Sequence, residues 1–349
     1  MNTLQRYIIR EITPLFILGN VLLVVFLLLE KLINLADLFF TKNVPAFLIA
    51  QTVVYYLPSF LLITIPTSAL IASMVGVGRM SSDSEITVMR AAGAGPKFFL
   101  KPALIVGLGA FALAFVMSVY LMPLGNALAI NNLTKIAQNI SINDMKENEM
   151  YDQISGLLFY ADKRPDGNSF GKVVVIDKNT GTIITAESGV VLPTDQAALV
   201  MNFTNGRVVA ESAGDERTVV RFGTMAMNIP FELKDKFKRR DEYFMTMSEL
   251  VDNFDKHANY RFEFSKRLAL PVAGLLMGIL GISLGIFFHR SGRSIGMPLS
   301  LGLTLVYYMF FFTSLNLART GAVNAFFAPW IANIIFLFVT IFMARRVLK

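Results

Sequence analysis

Stretches free of Asp, Glu, Lys and Arg recur along this chain, and their lengths predict most of its elements. Residues 12–29, 268–288, 294–318 and 320–344 are four such stretches, each suited to the roughly 17–25 residues with which a helix crosses a hydrocarbon core. The run 43–78 is too long for one span. Residues 44–56 read as a lead-in lying at the interface and about 57–78 as the span, with Pro58 and Pro66 tolerated as kinks. A sixth span runs from Pro102 to about Met122, where Pro123 is expected to stop it. The first span exceeds the roughly 7–15 apolar residues of a cleaved signal and has no small-x-small site close behind it, so it is expected to stay as an anchor.

Between about 123 and 260 the pattern changes. KVVVID, TIITAE, GVVLP, ALVMNF, RVVAES and RTVVRF are short runs rich in β-branched residues, separated by turn signals such as DGN, KNTG, TNG and AGD. Runs of that length and punctuation predict strands, and together an all-β, jelly-roll-like domain: a sandwich, a jelly roll or a related sheet. Residues 124–146 read as a helix ahead of it. Thr246-Met-Ser-Glu249 reads as a capping box opening a helix that leads to the fourth span. The expected fold class is an α-helical membrane protein with six transmembrane helices, three on each side of an inserted β domain. Its domains are 1–122, 123–260 and 261–349.

Composition and charge orient this arrangement. Of the 349 residues, 54% are hydrophobic and 16% charged, too apolar for one ordinary soluble domain. Residues 123–260 hold 15 Lys+Arg against 19 Asp+Glu, and the remainder 17 against 6. The basic excess therefore belongs to the membrane halves, where loop Lys and Arg set orientation, and nucleic acid is not an expected partner. With the N-terminus cytoplasmic, that side receives Arg6, Arg10, Arg79, Arg90, Lys97, Lys101, Arg290, Arg293, Arg345, Arg346 and Lys349. The outer short loops receive Lys31, Lys42 and Arg319. Both termini are expected inside and the β domain outside. Cys is absent, so there is neither a disulfide framework nor a thiolate metal site.

The loop after the second span carries a short helix of its own. Ser82-Asp-Ser-Glu85 has capping-box form, Gly93 suits a C′ position and Gly95-Pro96 prevents continuation, predicting a helix from about Asp83 to Ala92. Ile86, Met89 and Ala92 form an apolar stripe widened by Val88, with Glu85 and Arg90 flanking it. Two readings stand: a surface helix resting on lipid, or a helix docked by its stripe into the groove of a soluble partner. Catalytic chemistry is not legible. Gly171-Lys172 is followed by Val, so there is no G-x-x-x-x-G-K-[ST] phosphate loop. His257 and His289 are isolated and offer no zinc pair, and capping accounts for Asp83 and Glu85.

RYIIREI at 6–12, SEITVMRAAG at 84–93 and RFEFSKRLALPVAGLLMGILGISLGI at 261–286 resemble the LptF/LptG permease family of the lipopolysaccharide export ABC transporter, over essentially the whole chain. SEITVM, and HRSGRS at 289–294, are more similar to its LptF branch. The resemblance implies a multi-pass permease in the inner membrane of a Gram-negative bacterium, extracting lipopolysaccharide toward a periplasmic β-jelly-roll bridge. It implies a heterodimer with an LptG-like sister permease, an LptB-like ATPase dimer holding the ATP and Mg, a bitopic LptC-like protein and an LptA-like bridge. No cofactor is then expected on this chain. The short helix becomes a coupling helix, with Glu85, Ile86, Met89 and Arg90 facing the ATPase. A mechanotransmitting ABC subunit that carries no substrate would share these features and stays open.

Lipopolysaccharide has acyl chains and anionic phosphates, so a carrier needs an apolar cavity with cations at its outer rim. Lys31 follows the apolar run of the first span, and the resemblance implies that it holds the charged head. The basic residue that the family often has one turn on is Asn34 here. Snorkelling to headgroups, or pairing with Glu30, accounts for Lys31 as well. Lys266 and Arg267 enter the fourth span from the outer side along with Arg261, either as a cationic rim or neutralised by Glu263 one turn earlier.

Overall fold

The computed structural model describes residues 3–42, 44–152, 156–194, 198–211, 217–230, 241–288 and 296–347. Six of its helices are long and apolar enough to cross a membrane, and one antiparallel sheet is inserted between the third and the fourth. In chain order the elements are α1 (Thr3–Lys42), α2 (Ala46–Ser82), α3 (Glu85–Ala91), α4 (Leu100–Val116) and α5 (Met122–Asp144). They continue as β1 (Met150–Tyr151), β2 (Leu157–Lys163), β3 (Ser169–Asp177), β4 (Ile183–Pro193), β5 (Ala198–Glu211) and β6 (Arg217–Pro230). The chain closes with α6 (Met247–Asp252), α7 (Ala258–Phe287), α8 (Gly296–Arg319) and α9 (Trp330–Val347). Two compact units result: 1–35 with 53–127 and 240–349, and 36–52 with 128–239.

Local chemistry moves several expected boundaries. The lead-in at 44–56 is not a separate element, because α2 runs unbroken through Pro58 and Pro66. Pro123 does not stop the third span. A π-helical segment, Met117–Leu121, precedes it, with the Met122 N–H bonded to the Met117 carbonyl. Proline lacks an N–H and its ring crowds the carbonyl four residues back; widening that turn relieves the conflict and lets helix resume as α5. The last charge-free run begins as turns, since Gly321 at φ +76° ends α8. Its N–H reaches the Ala318 carbonyl and the Ala322 N–H reaches Leu317, the paired bonds of a Schellman stop. The capping box at Thr246 and Glu249 forms in both directions, but α6 has six residues and a turn separates it from α7.

Helix α7 is the axis of the first unit. Its Gly274 and Gly278 meet α4, and its Gly281 and Gly285 meet α2. A Cβ on Gly278 would lie 2.9 Å from the Gly107 Cα, and one on Gly281 would lie 2.7 Å from the Leu70 carbonyl oxygen. Without a hydrophobic drive between helices in lipid, such close backbone approach supplies the packing attraction. One buried polar chain ties three helices of the bundle: the Tyr307 hydroxyl donates to Asn333 Oδ1 at 2.9 Å, whose amide donates to the Ala269 carbonyl at 2.7 Å.

In the second unit the six strands pair in sequence order, each antiparallel to the next. The inserted domain is all-β as expected, and its described strands make a meander without the crossovers of a two-sheet jelly roll. Side chains alternate between a buried apolar face, carrying Phe159, Val173, Val175, Met201 and Phe203, and an exposed one. Along one transverse row, Asp162, Lys172, Glu187, Asn205 and Gly223, the alternation resets. Pairs on either side of that row are kept, such as Gly171↔Ser188 and Val173↔Ala186, or Thr204↔Thr224 and Gly206↔Phe222. Beyond it each strand's inward set has shifted by one residue, from Val173 to Phe170 and from Ala186 to Gly189. Lys172 and Asn205 take φ values of +47° and +51° there. An extra residue in one strand normally makes a bulge and breaks register. Here neighbouring strands take the step in the same row, so register survives and a crease crosses the sheet.

Candidate functional site

Three groups of residues carry the functional expectations. The first is α3, which starts at Glu85 rather than Asp83. Its N-cap residue Ser84 sits in the left-handed region without a side-chain cap, and the Ser82 hydroxyl donates to the Gly78 carbonyl of α2. The capping box expected at Ser82–Glu85 is therefore not formed, because α2 continues through Ser82 and takes up its hydroxyl. The C-terminal stop is as expected: Gly93 has φ +91° and the Ala94 N–H bonds to the Met89 carbonyl. Ile86 and Met89 are 5% and 6% exposed, packed with Ile8, Ile12, Met80, Phe99 and Ile282 of this chain. Their apolar surface is thus not available to a partner, and of the expected stripe Val88, 65% exposed, and Ala92 are left outside. Arg90 lies over the Phe99 ring at 5.9 Å. Glu85 Oε1 accepts the Tyr7 hydroxyl at 3.3 Å, while its buried Oε2 has no hydrogen-bond partner among the described residues.

The second is Lys31, which lies within α1 rather than at its end. It is exposed, with its ammonium 5.5 Å from the centre of the Tyr56 ring on α2. That contact was not anticipated; a Tyr in a span gives no sequence signal of which cation it meets.

The third is the start of α7. Glu263 is 1% exposed and Arg267 fully buried. Lys266 and Arg267 both pair with Glu263, Arg267 through Nε at 3.2 Å. The remaining guanidinium nitrogens donate to the carbonyls of Met245 at 2.6 Å and Glu242 at 3.0 Å. Lys266 also lies 4.8 Å from the Tyr243 ring centre. The Ser118 hydroxyl of the π segment donates to the Arg267 carbonyl at 2.9 Å. Arg267 is therefore a pin that holds the approach to α7 against the span, with its donors occupied inside the chain. Of the two readings of this cluster, neutralisation by Glu263 is what the geometry realises. Because so compact a charge pair is costly to bury, the backbone carbonyls that complete its hydrogen bonds are what make it tolerable.

Comparison with known families decides what these features belong to. Residues 6–346 match the description "Lipopolysaccharide export system permease LptF/LptG". The chain belongs to the LptF/LptG family. It is similar to the lipopolysaccharide export system permease protein LptF of Escherichia coli and of Shigella flexneri, at 23% identity over 95% of this chain and 92% of theirs. It is also similar, at 24% identity, to an uncharacterized protein of Rickettsia prowazekii, over 53% of this chain and about half (52%) of that protein. As a family member with six spanning helices, it is a multi-pass inner-membrane protein of the lipopolysaccharide export system. The LptF-like HRSGRS segment at 289–294 lies outside the described residues. No cluster of potential metal ligands occurs among the described residues.

Proposed function

We propose that this LptF/LptG permease extracts lipopolysaccharide from the inner membrane and is driven by an ATPase gripping α3. The observation that carries the reading is the two-sided character of α3. Ile86 and Met89 root it in the packing of α1, α2, α4 and α7, so a push on α3 reaches the spans. Glu85, Val88 and Arg90 are the residues through which a partner takes hold, and the ATP and Mg reside in that partner. The loop-charge bias puts α3 and both termini in the cytoplasm and the sheet in the periplasm. There the edge strand β6, bonded on one side by β5, offers its other side to the β domain of a bridge protein. Lys31, exposed beside Tyr56, is the substrate-facing cation of this reading, whereas Lys266 and Arg267 serve the fold. The sister permease completes a heterodimer.

The test is Glu85→Gln in the assembled transporter. With the capping box absent, the change removes a charge and little else. Loss of a partly buried charge pair between subunits costs on the order of 2–5 kcal/mol, so ATPase association or export should fall at least tenfold with membrane insertion intact. Wild-type assembly and export in this variant would sink the latch.

A further inference from the structure

On the exposed face of the sheet, beside the crease, Arg207 of β5 stands directly opposite Arg221 of β6 in the antiparallel register. Cross-strand partners lie about 5 Å apart at Cβ, and like charges placed so oppose each other. Neither guanidinium has a carboxylate partner among the described residues. Arg207 is held by a bond from its Nε to Thr185 Oγ1 at 3.2 Å. Glu187, whose Oε2 accepts the Asn205 amide at 3.2 Å, stands in the same wall and keeps its charge, while Asp162 pairs with Lys172 at 3.0 Å. Lys172, Thr185, Glu187, Asn205, Arg207 and Arg221 wall a hollow of about 440 Å³ that also takes in Ala186, Gly206 and Phe222. It is therefore an open depression on the exposed face, lined by two arginines that make no ion pair with a described carboxylate and by one acid, Glu187.

We propose that this hollow binds a phosphate group, gripped by Arg207 and Arg221 in the forked geometry that suits phosphate oxygens, with Lys172 at its rim. The inference is independent of the transport reading, because it rests on the exposed face of the sheet alone. The phosphate reaches it as free inorganic phosphate or on a phosphorylated lipid headgroup, and both carry the same recognised chemistry.

The full-length chain in detergent is titrated with inorganic phosphate and, separately, with short-chain phosphatidic acid, reading phosphorus NMR line widths. Arg207→Gln and Arg221→Gln should each weaken binding at least tenfold, while Lys178→Gln, an exposed cation of the same unit, should leave it unchanged. Tighter binding of the lipid identifies a headgroup as the source, and equal binding identifies free phosphate. In phosphate-free buffer both arginine variants should unfold no earlier than wild type, because like-charge opposition has been relieved. Wild-type affinity in both arginine variants, an equal loss in Lys178→Gln, or earlier unfolding of the arginine variants would each overturn the proposal.

Discussion

Replacing Arg267 by Met tests whether the charge cluster at the head of α7 is a structural pin. The substitution leaves three groups short: Glu263, 1% exposed, keeps only Lys266, and the carbonyls of Glu242 and Met245 lose their guanidinium donors. Breaking a buried pair by removing one partner costs about 3–5 kcal/mol. Lys266 still compensates Glu263, which places the expected loss near the lower end, about 3 kcal/mol. An arginine lining a water-filled rim would instead lose about 1 kcal/mol or less. Denaturant unfolding of the purified chain separates the two, compared across Arg267→Met, Glu263→Gln and the double variant. The double variant should be more stable than the sum of the single losses allows, because it no longer strands a buried charge, giving a coupling of about 1–3 kcal/mol. Additive effects, or an Arg267→Met variant as stable as wild type, would refute the pin.

Two further outcomes test the packing and the turn chemistry. Gly278→Val should destabilise the helix bundle by about 1–3 kcal/mol through overpacking against Gly107, whereas Gly302→Val, where an added Cβ meets nothing within 4 Å, should be neutral; thermal unfolding of the detergent-solubilised variants distinguishes them. In the β3–β4 turn, hydrogen bonds from the Asn179 backbone and then from Thr180 hold the Asp177 carboxyl below its ordinary pKa. A depressed folded-state pKa stabilises fully above the unfolded value, about 3.9, and that stability is lost as pH falls through the folded value. Asp177→Asn should therefore lower neutral stability slightly, by the contribution that the ionised carboxylate makes there, and flatten the acid limb of the stability profile below about pH 4; an unaltered acid limb would show that the turn does not contribute to it.

The six spans were legible in the sequence because a charge in hydrocarbon is costly wherever the helix ends up, so charge-free runs report membrane segments without knowledge of packing. The helix stop at Gly93 and the capping box at Thr246 were legible for a similar reason, since each involves residues within one or two turns. Likewise, the strands of the insertion were announced by β-branched runs and turn residues. Local signals failed where a competing local demand was stronger, as at Pro123, where a π turn absorbed the proline, and at Ser82, whose hydroxyl turned back into α2.

What the tertiary structure alone decided concerns partners far apart in the chain. Ile86 and Met89 have the spacing of an apolar stripe whichever way they face, and only Ile8, Met80 and Ile282 closing over them turned the stripe inward. Arg267 is a cation beside an acid in the sequence, and it became a pin because the carbonyls of residues 242–245 and the hydroxyl of Ser118, 149 positions away, converge on it. The opposition of Arg207 and Arg221 exists only in the register of β5 against β6. Charge, hydropathy and turn chemistry act over a few residues and are written in order along the chain; burial and hydrogen-bond completion depend on which distant backbone arrives, and that is settled only when the chain has folded.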